Sequence, residues 1–296
     1  MRIGTRASAL ALAQAEGVAA LLGGGEIVPV VTSGDRGEAS EDKSRWVSEL
    51  ERALADGQVD LAVHSAKDVP GGLAEGLALV GTPPRMGAED VLCGARSIEE
   101  LAPGARVGTS SVRRRAQLAA AREDLEVVSM RGNVDTRLAK LAAGDVDALV
   151  LARAGLQRLR REDAIGVVLD TARFVPAPGQ GTLALEARAE DAPVQEALAG
   201  ICDTEAFRCL RAERALAGAL EASCHTPIGA HAGPCDGGLR LCAWVGLPDG
   251  SAWISDELTG EAGDPEGLGR EVAGRMKLAG AGAILAAAES MPAPAR

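Results

Sequence analysis

The segment Thr109-Ser110-Ser111-Val112-Arg113-Arg114-Arg115 sets three hydroxyls and then three guanidiniums at the predicted start of a helix. Orphan backbone N–H groups, the positive end of the helix dipole and forked guanidiniums all favour a carboxylate or phosphate there. A capped surface helix with solvated arginines is the ordinary alternative. Cations in a first helical turn, however, oppose the dipole by about a few tenths of a kcal/mol, which points to a use for them. A second turn, Met130-Arg131-Gly132-Asn133-Val134-Asp135-Thr136-Arg137, has Arg131 at its bend and Arg137 one helical turn further on. With Arg6 and Arg158, each after its own predicted strand, five or more guanidiniums are expected to converge on a ligand of several negative charges.

Two further segments carry reactive groups. His64-Ser65-Ala66-Lys67-Asp68-Val69-Pro70 follows the apolar run Leu61–Val63, and ligands in open α/β sheets sit at such carboxyl ends of strands. A carboxylate there could hold a developing cation or move a proton, whereas a solvated Lys67/Asp68 pair is the plain reading. A Schiff base between Lys67 and pyridoxal phosphate lacks any supporting motif. In Ser223-Cys224-His225-Thr226-Pro227-Ile228-Gly229, Cys224 is open to three readings: a buried small hydrophobe, a nucleophile, or an attachment point. Adjacent Cys and His side chains usually diverge, and three His with scattered Cys lack metal-ligand spacing, so no metal is expected.

The elements that must position these groups follow from apolar periodicity and caps. Arg2-Ile3-Gly4 reads as a strand leading into an Ala/Leu helix that runs to about Leu22, and Ala105–Val107 leads likewise into a helix over 112–122. Residues 53–64 and 140–151 echo one another: a helix end, Gly57 or Gly144 at the C-cap, then a buried strand. Two related α/β lobes are expected, followed beyond about Thr204 by a region of different character.

Composition bounds the rest. The chain has 296 residues, 47% of them hydrophobic, which is ample for two or three domain cores, and no run reaches the ~20 residues of a spanning helix. A formal charge of −11, with no Tyr, two Phe and three Trp, argues against nucleic acid as a partner. Positive charge gathers locally, with an excess of four over residues 106–140. Six scattered cysteines with no C-x-x-C pair suit a reduced, cytoplasmic setting.

Taken in order, Thr5-Arg6-Ala7-Ser8, Val63-His64-Ser65-Ala66-Lys67-Asp68-Val69-Pro70, Val107-Gly108-Thr109-Ser110-Ser111-Val112-Arg113-Arg114, Arg131-Gly132-Asn133-Val134-Asp135-Thr136-Arg137-Leu138, Pro178-Gly179-Gln180-Gly181 and Cys224-His225-Thr226-Pro227-Ile228-Gly229 resemble the porphobilinogen deaminase (hydroxymethylbilane synthase) family over nearly the whole chain. The resemblance implies a transferase of porphyrin (haem) biosynthesis. It would join four porphobilinogen units head to tail into hydroxymethylbilane, releasing ammonia at each condensation, on a dipyrromethane cofactor bound to Cys224 through a thioether. It implies Asp68 as the catalytic carboxylate. Ser65, Lys67, Thr109, Ser110, Ser111, Arg113, Arg114 and Arg137 would hold the cofactor, and Arg6, Ser8, Gln14, Arg131 and Arg158 the substrate. Arg115 has no family counterpart and is expected at the surface.

The implied fold is α/β with three domains, the first two like the lobes of type II periplasmic binding proteins and the third a smaller α+β unit. Their expected bounds are 1–83 with 177–200, then 88–176, then 204–296. A monomer is expected, with no nucleic acid or membrane partner and with hand-over of the product to the next pathway enzyme. Two departures from the family pattern stand out. Residues 36–46 form a shortened, acid-containing lid in which Lys43 and Trp46 stand for a family lysine and phenylalanine, and Ser223 and His225 flank the attachment Cys. The competing readings are a two-lobed polyanion-binding protein, which has no use for Cys224, and a thiol hydrolase.

Overall fold

The computed structural model describes residues 1–30, 44–222 and 226–291. In chain order the elements are β1 (Arg2–Arg6), α1 (Ala9–Leu21), β2 (Glu26–Val30), α2 (Ser44–Ala55), β3 (Leu61–Ser65), a 3-10 turn (Ala66–Asp68) and β4 (Leu77–Gly81). Next come β5 (Asp90–Cys93), β6 (Arg106–Gly108), α3 (Val112–Ala121), β7 (Glu126–Val128), α4 (Val134–Ala142), β8 (Ala148–Ala152), α5 (Arg153–Arg158) and β9 (Val167–Val168). The remainder is β10 (Leu183–Arg188), α6 (Ala192–Leu198), α7 (Thr204–Ala219), β11 (Ile228–Cys235), β12 (Gly238–Gly246), β13 (Trp253–Gly260), α8 (Pro265–Leu278) and α9 (Ala281–Ser290). The chain forms two compact units, residues 1–86 with 179–210 and residues 87–178 with 211–296.

The first unit holds a five-stranded sheet of order β2-β1-β3-β10-β4, with β2, β1 and β3 parallel and β10 antiparallel to both its neighbours. Period-two alternation sorts its side chains. Leu61 and Val63 join Ile3, Val18, Leu185 and Leu198 in a core under α1 and α6, while Ala62 faces the other way onto Leu50, Ala53 and Leu54 of α2. Ser8 starts α1 by accepting the Ala11 N–H, the role that an N-cap serine fills.

In the second unit a five-stranded sheet of order β7-β6-β8-β5-β9 repeats that plan: three parallel strands, then β5 antiparallel to β8 and β9. The echoed segments 53–64 and 140–151 deliver β3 and β8, each the third strand of its sheet. The two expected α/β lobes are therefore present. Glycines at the echoed caps adopt left-handed backbone, φ +65° at Gly57 and +78° at Gly144, as C-caps require. A separate antiparallel sheet, β11-β12-β13, belongs to the same unit and packs one face on α8 and α9. Its Trp244 meets Ala116 of α3 and Val175, and the Ala230 N–H donates to the Pro176 carbonyl. The fold is thus α/β with three sheets. Among the described residues no helix is long and apolar enough to cross a membrane, and the five described cysteines are free.

Candidate active site

Each unit carries its own share of the residues singled out by sequence. In the first, β3 ends at Ser65 and the 3-10 turn that follows presents Lys67 and Asp68. A cavity at this end of the sheet is lined by Arg6 from β1, Ser8, Leu10, Ala11 and Gln14 from the start of α1, and Val63, His64, Ser65 and Asp68. Gln14 is buried and its Nε2 donates to Ser65 Oγ at 2.8 Å, so two residues predicted to serve a ligand separately form one linked pair. Lys67 is not simply solvated beside Asp68, because its Nζ donates to Gln180 Oε1 at 3.2 Å. Gln180 is itself buried, and its carbonyl accepts from Arg85 Nε and Nη2 at 3.0 and 2.8 Å.

In the second unit the Thr109–Ser111 turn does open α3 as expected, with much of its hydroxyl capacity engaged locally. Ser111 accepts the Arg114 N–H as the N-cap, Thr109 Oγ1 accepts the Ser111 N–H at 3.2 Å, and Ser110 donates to the Met130 carbonyl. Arg113 and Arg114 are buried rather than solvated. Both bind Asp90, the first residue of β5: Arg113 Nη2 at 2.8 Å, and Arg114 through Nε at 3.0 Å and Nη2 at 2.7 Å. Arg113 also donates to the Val175 carbonyl and Gln117, and Arg114 to the Val150 carbonyl. Two guanidiniums on one carboxylate leave this buried group with a net positive charge. Arg115, expected at the surface, is instead half-buried and donates to the Val127 carbonyl.

Arg131 is exposed at the bend, and Asn133 caps α4 by accepting the Thr136 N–H at 2.8 Å. Arg137 lies one turn inside and donates from Nε to the Gly132 carbonyl at 2.8 Å. Burial, with a further contribution from the like charge of Arg114, holds Arg137 below the usual guanidinium range. Burial alone pushes Arg158, the last residue of α5, down to about 10. These groups stay protonated at neutral pH. Each of these positive charges is poorly solvated and would be stabilised by an incoming anion.

Several polar residues at these places were not foreseen. Asp90 heads the otherwise apolar stretch Val91-Leu92-Cys93, and Glu186 interrupts Leu183-Ala184-Leu185-Glu186-Ala187. A lone acid in an apolar strand is the signal that each offered. Glu186 is fully buried, and its Oε2 lies 2.8 Å from His64 Nε2. Glu213 of α7, equally buried, accepts the Ala232 N–H of β11 at 2.7 Å and so ties together the two elements on either side of the Cys224 segment. Cys224 itself, with Ser223 and His225, lies outside the described residues, as do residues 36–43 of the predicted lid and the side chain of Trp46. Burial pushes the Cys93 thiol up to about 11 and Cys242 to about 12, which makes neither a nucleophile at neutral pH. A larger hollow near Gly94, Arg96, Glu100 and Asp147 holds none of the residues singled out by sequence.

Two family models match. "Porphobilinogen deaminase, dipyromethane cofactor binding domain" covers residues 1–196, and "Porphobilinogen deaminase, C-terminal domain" covers residues 207–278. Curated proteins called porphobilinogen deaminase are similar along their full length. That of Syntrophotalea carbinolica is 41% identical, covering 99% of this chain and 98% of its own. That of Deinococcus deserti is 43% identical with 97% and 98% covered, and that of Xanthomonas oryzae pv. oryzae 44% identical with 97% and 99% covered. Among solved structures, the VFT2 domain of Bordetella pertussis BvgS aligns at 17% identity and TM-score 0.39, over 68% of this chain and 85% of its own. A nutrient binding protein from Burkholderia cenocepacia bound to methionine aligns at 11% and TM-score 0.41, over 67% and 89%.

Proposed function

The chain belongs to the porphobilinogen deaminase family, and we propose that it condenses four porphobilinogen molecules head to tail, releasing one ammonia at each condensation, and that one water then cleaves the four-unit chain from the cofactor and supplies the hydroxyl of hydroxymethylbilane. It is a transferase of tetrapyrrole biosynthesis that uses dipyrromethane as its cofactor. The observation that carries the proposal is the run of both family models along the chain, and the polar layout of each unit supports it.

Dipyrromethane has two rings, each with an acetate and a propionate, and the residues present suit such a polyanion. Arg113 and Arg114 share a single carboxylate, and Arg137 lies within electrostatic range of Arg114. In the proposal Ser65, Lys67, Thr109, Ser110, Ser111, Arg113, Arg114 and Arg137 hold the cofactor, and Cys224 anchors it through a thioether. When bound, it supplies the pyrrole carbon to which the first unit is joined. Arg6, Ser8, Gln14, Arg131 and Arg158 take the carboxylates of porphobilinogen. Every added unit brings two more negative charges, which would be prohibitive without paired cations. Asp68 is assigned the chemistry. Its carboxylate faces the cation left when the C–N bond of porphobilinogen breaks and ammonia departs with the electron pair, and it takes the proton lost from the attacking carbon. In the same proposal, residues 1–83 with 177–200 form the domain that carries Asp68, 88–176 the arginine domain, and 204–296 the domain of Cys224.

Intact-mass analysis of protein made in a host that synthesises porphobilinogen is expected to show an excess equal to two linked pyrrole units, absent from Cys224→Ala. Asp68→Asn is expected to keep that excess while turnover falls about a hundredfold or more, the scale of a lost acid-base group. A chain at its bare sequence mass, or Asp68→Asn with near-normal turnover, would overturn the reading.

A further inference from the structure

Gln117 has no role in the steps above. It lies one helical turn beyond Arg113 on α3, and both side chains are buried. An apolar residue would pack there with no polar atoms to satisfy, whereas a buried amide destabilises the fold unless its hydrogen bonds are made. Those bonds are made in a closed ring. Gln117 Oε1 accepts from Arg113 Nη1 at 3.0 Å, its Nε2 donates to the Val175 carbonyl at 3.1 Å, and Arg113 Nη1 donates to that same carbonyl at 2.8 Å. The ring needs an amide. A guanidinium only donates and a carbonyl only accepts, so a glutamate could serve the first contact but not the second, and a lysine the second but not the first.

Both hydrogens of Arg113 Nη1 are thereby engaged, one on Gln117 and one on Val175, while Nη2 donates to Asp90 at 2.8 Å. Nε is buried with no hydrogen-bond partner, so Asp90, Gln117 and the Val175 carbonyl between them set the plane of the guanidinium. The carbonyl is itself held from the far side. The Ala230 N–H of β11 donates to the next carbonyl, that of Pro176, at 2.8 Å, and a Cβ on Gly229 would lie 2.6 Å from the Val175 oxygen. The Val175 side chain packs with Ala116 of α3 and Trp244 of β12. The orientation of Arg113 is therefore tied to β11, the strand that begins four residues after Cys224 in the chain.

We propose that Gln117 is a positioning residue that holds the Arg113 guanidinium ready for a dipyrromethane carboxylate and so sets how fast the cofactor is acquired. The inference rests on the reading that Arg113 holds the cofactor, and its test separates the two. Full-length protein is made in a host unable to synthesise porphobilinogen, porphobilinogen is added, and the gain of the two-ring mass is followed over time by intact-mass analysis. Gln117→Met is expected to load about tenfold more slowly, the scale of a hydrogen bond lost from a charged group, while the loaded variant keeps its KM for porphobilinogen within about twofold. In an Arg113→Lys background the same substitution is expected to add almost nothing, because the group through which it acts is gone. Equal slowing in both backgrounds would make Gln117 a general structural residue and overturn the proposal, as would normal loading of Gln117→Met or a rise in KM as large as the loading defect. Arg113→Lys by itself checks the underlying reading: full-speed loading there rejects the role of Arg113, whereas slow loading there beside normal loading of Gln117→Met rejects only the role of Gln117. Should Gln117→Met not fold, Gly229→Ala, whose added carbon must displace the same carbonyl from β11, carries the same expectations in both backgrounds.

Discussion

Asp90 is buried to 1% exposure and is bound by two guanidiniums, so its charge is what makes the arginine pair tolerable in the interior. Asp90→Asn would leave Arg113 and Arg114 desolvated and mutually repelling without the carboxylate that both bind. The loss is expected to be about 3 to 5 kcal/mol in urea unfolding, the cost of breaking a buried pair from one side. A loss below about 1 kcal/mol would mean that the arginines turn out to solvent in the unliganded protein. At this scale the sequence exposed the guanidiniums but not their partner. Three consecutive arginines at a helix start are conspicuous, whereas an aspartate more than twenty residues earlier gains its meaning only when β5 is inserted next to β8. The same holds for His64 and Glu186, which lie in separate apolar runs that only the β3–β10 ladder brings side by side.

The turn that carries Lys67 and Asp68 is braced by a second element. Gly179 has φ +75°, and a Cβ there would lie 2.9 Å from Ala66 Cβ and 3.0 Å from both Ala66 C and Lys67 N. Backbone, not a flexible side chain, occupies the space, so Gly179→Ala must move the 3-10 turn as well as strain its own residue. It is expected to cost about 1 to 3 kcal/mol of stability and to lower turnover by more than tenfold with the cofactor mass retained. Gly144→Ala is the control. Its φ of +78° imposes comparable strain, but nothing lies within 4 Å of the added carbon, so stability should fall while kcat and KM stay put. Equal kinetic effects from the two variants would refute the bracing argument. The Pro178-Gly179-Gln180-Gly181 motif was visible in the sequence, and so were the paired lobes, because strand-to-helix turns and C-cap glycines are local signals. The insertion of β10 between β3 and β4 was not visible, because that pairing spans more than a hundred residues and leaves no local pattern.

Over the whole molecule, acid has two opposed effects. The net charge is −11 at neutral pH and the pI is about 4.9, so lowering the pH from 7 towards 5 relieves self-repulsion. Against this, hydrogen bonds from Arg2, Arg122 and Arg173 hold Asp60, Asp124 and Glu99 below the usual carboxylate range, and backbone N–H donation from Ser251 does the same for Asp249. A carboxyl whose pKa is lower folded than unfolded stabilises the protein fully above its unfolded value of about 4, and that contribution drains away as pH falls through the folded value. The partners are largely exposed, so each contribution is small and screened by salt. Urea midpoints measured across pH should therefore hold level or rise slightly from pH 7 to about 5 and decline below about 4. Added NaCl should flatten both limbs, because repulsion and pairing are both electrostatic. A midpoint that fell steadily from pH 7 downward and ignored salt would place the acid-sensitive groups in the buried interior instead of in these surface pairs.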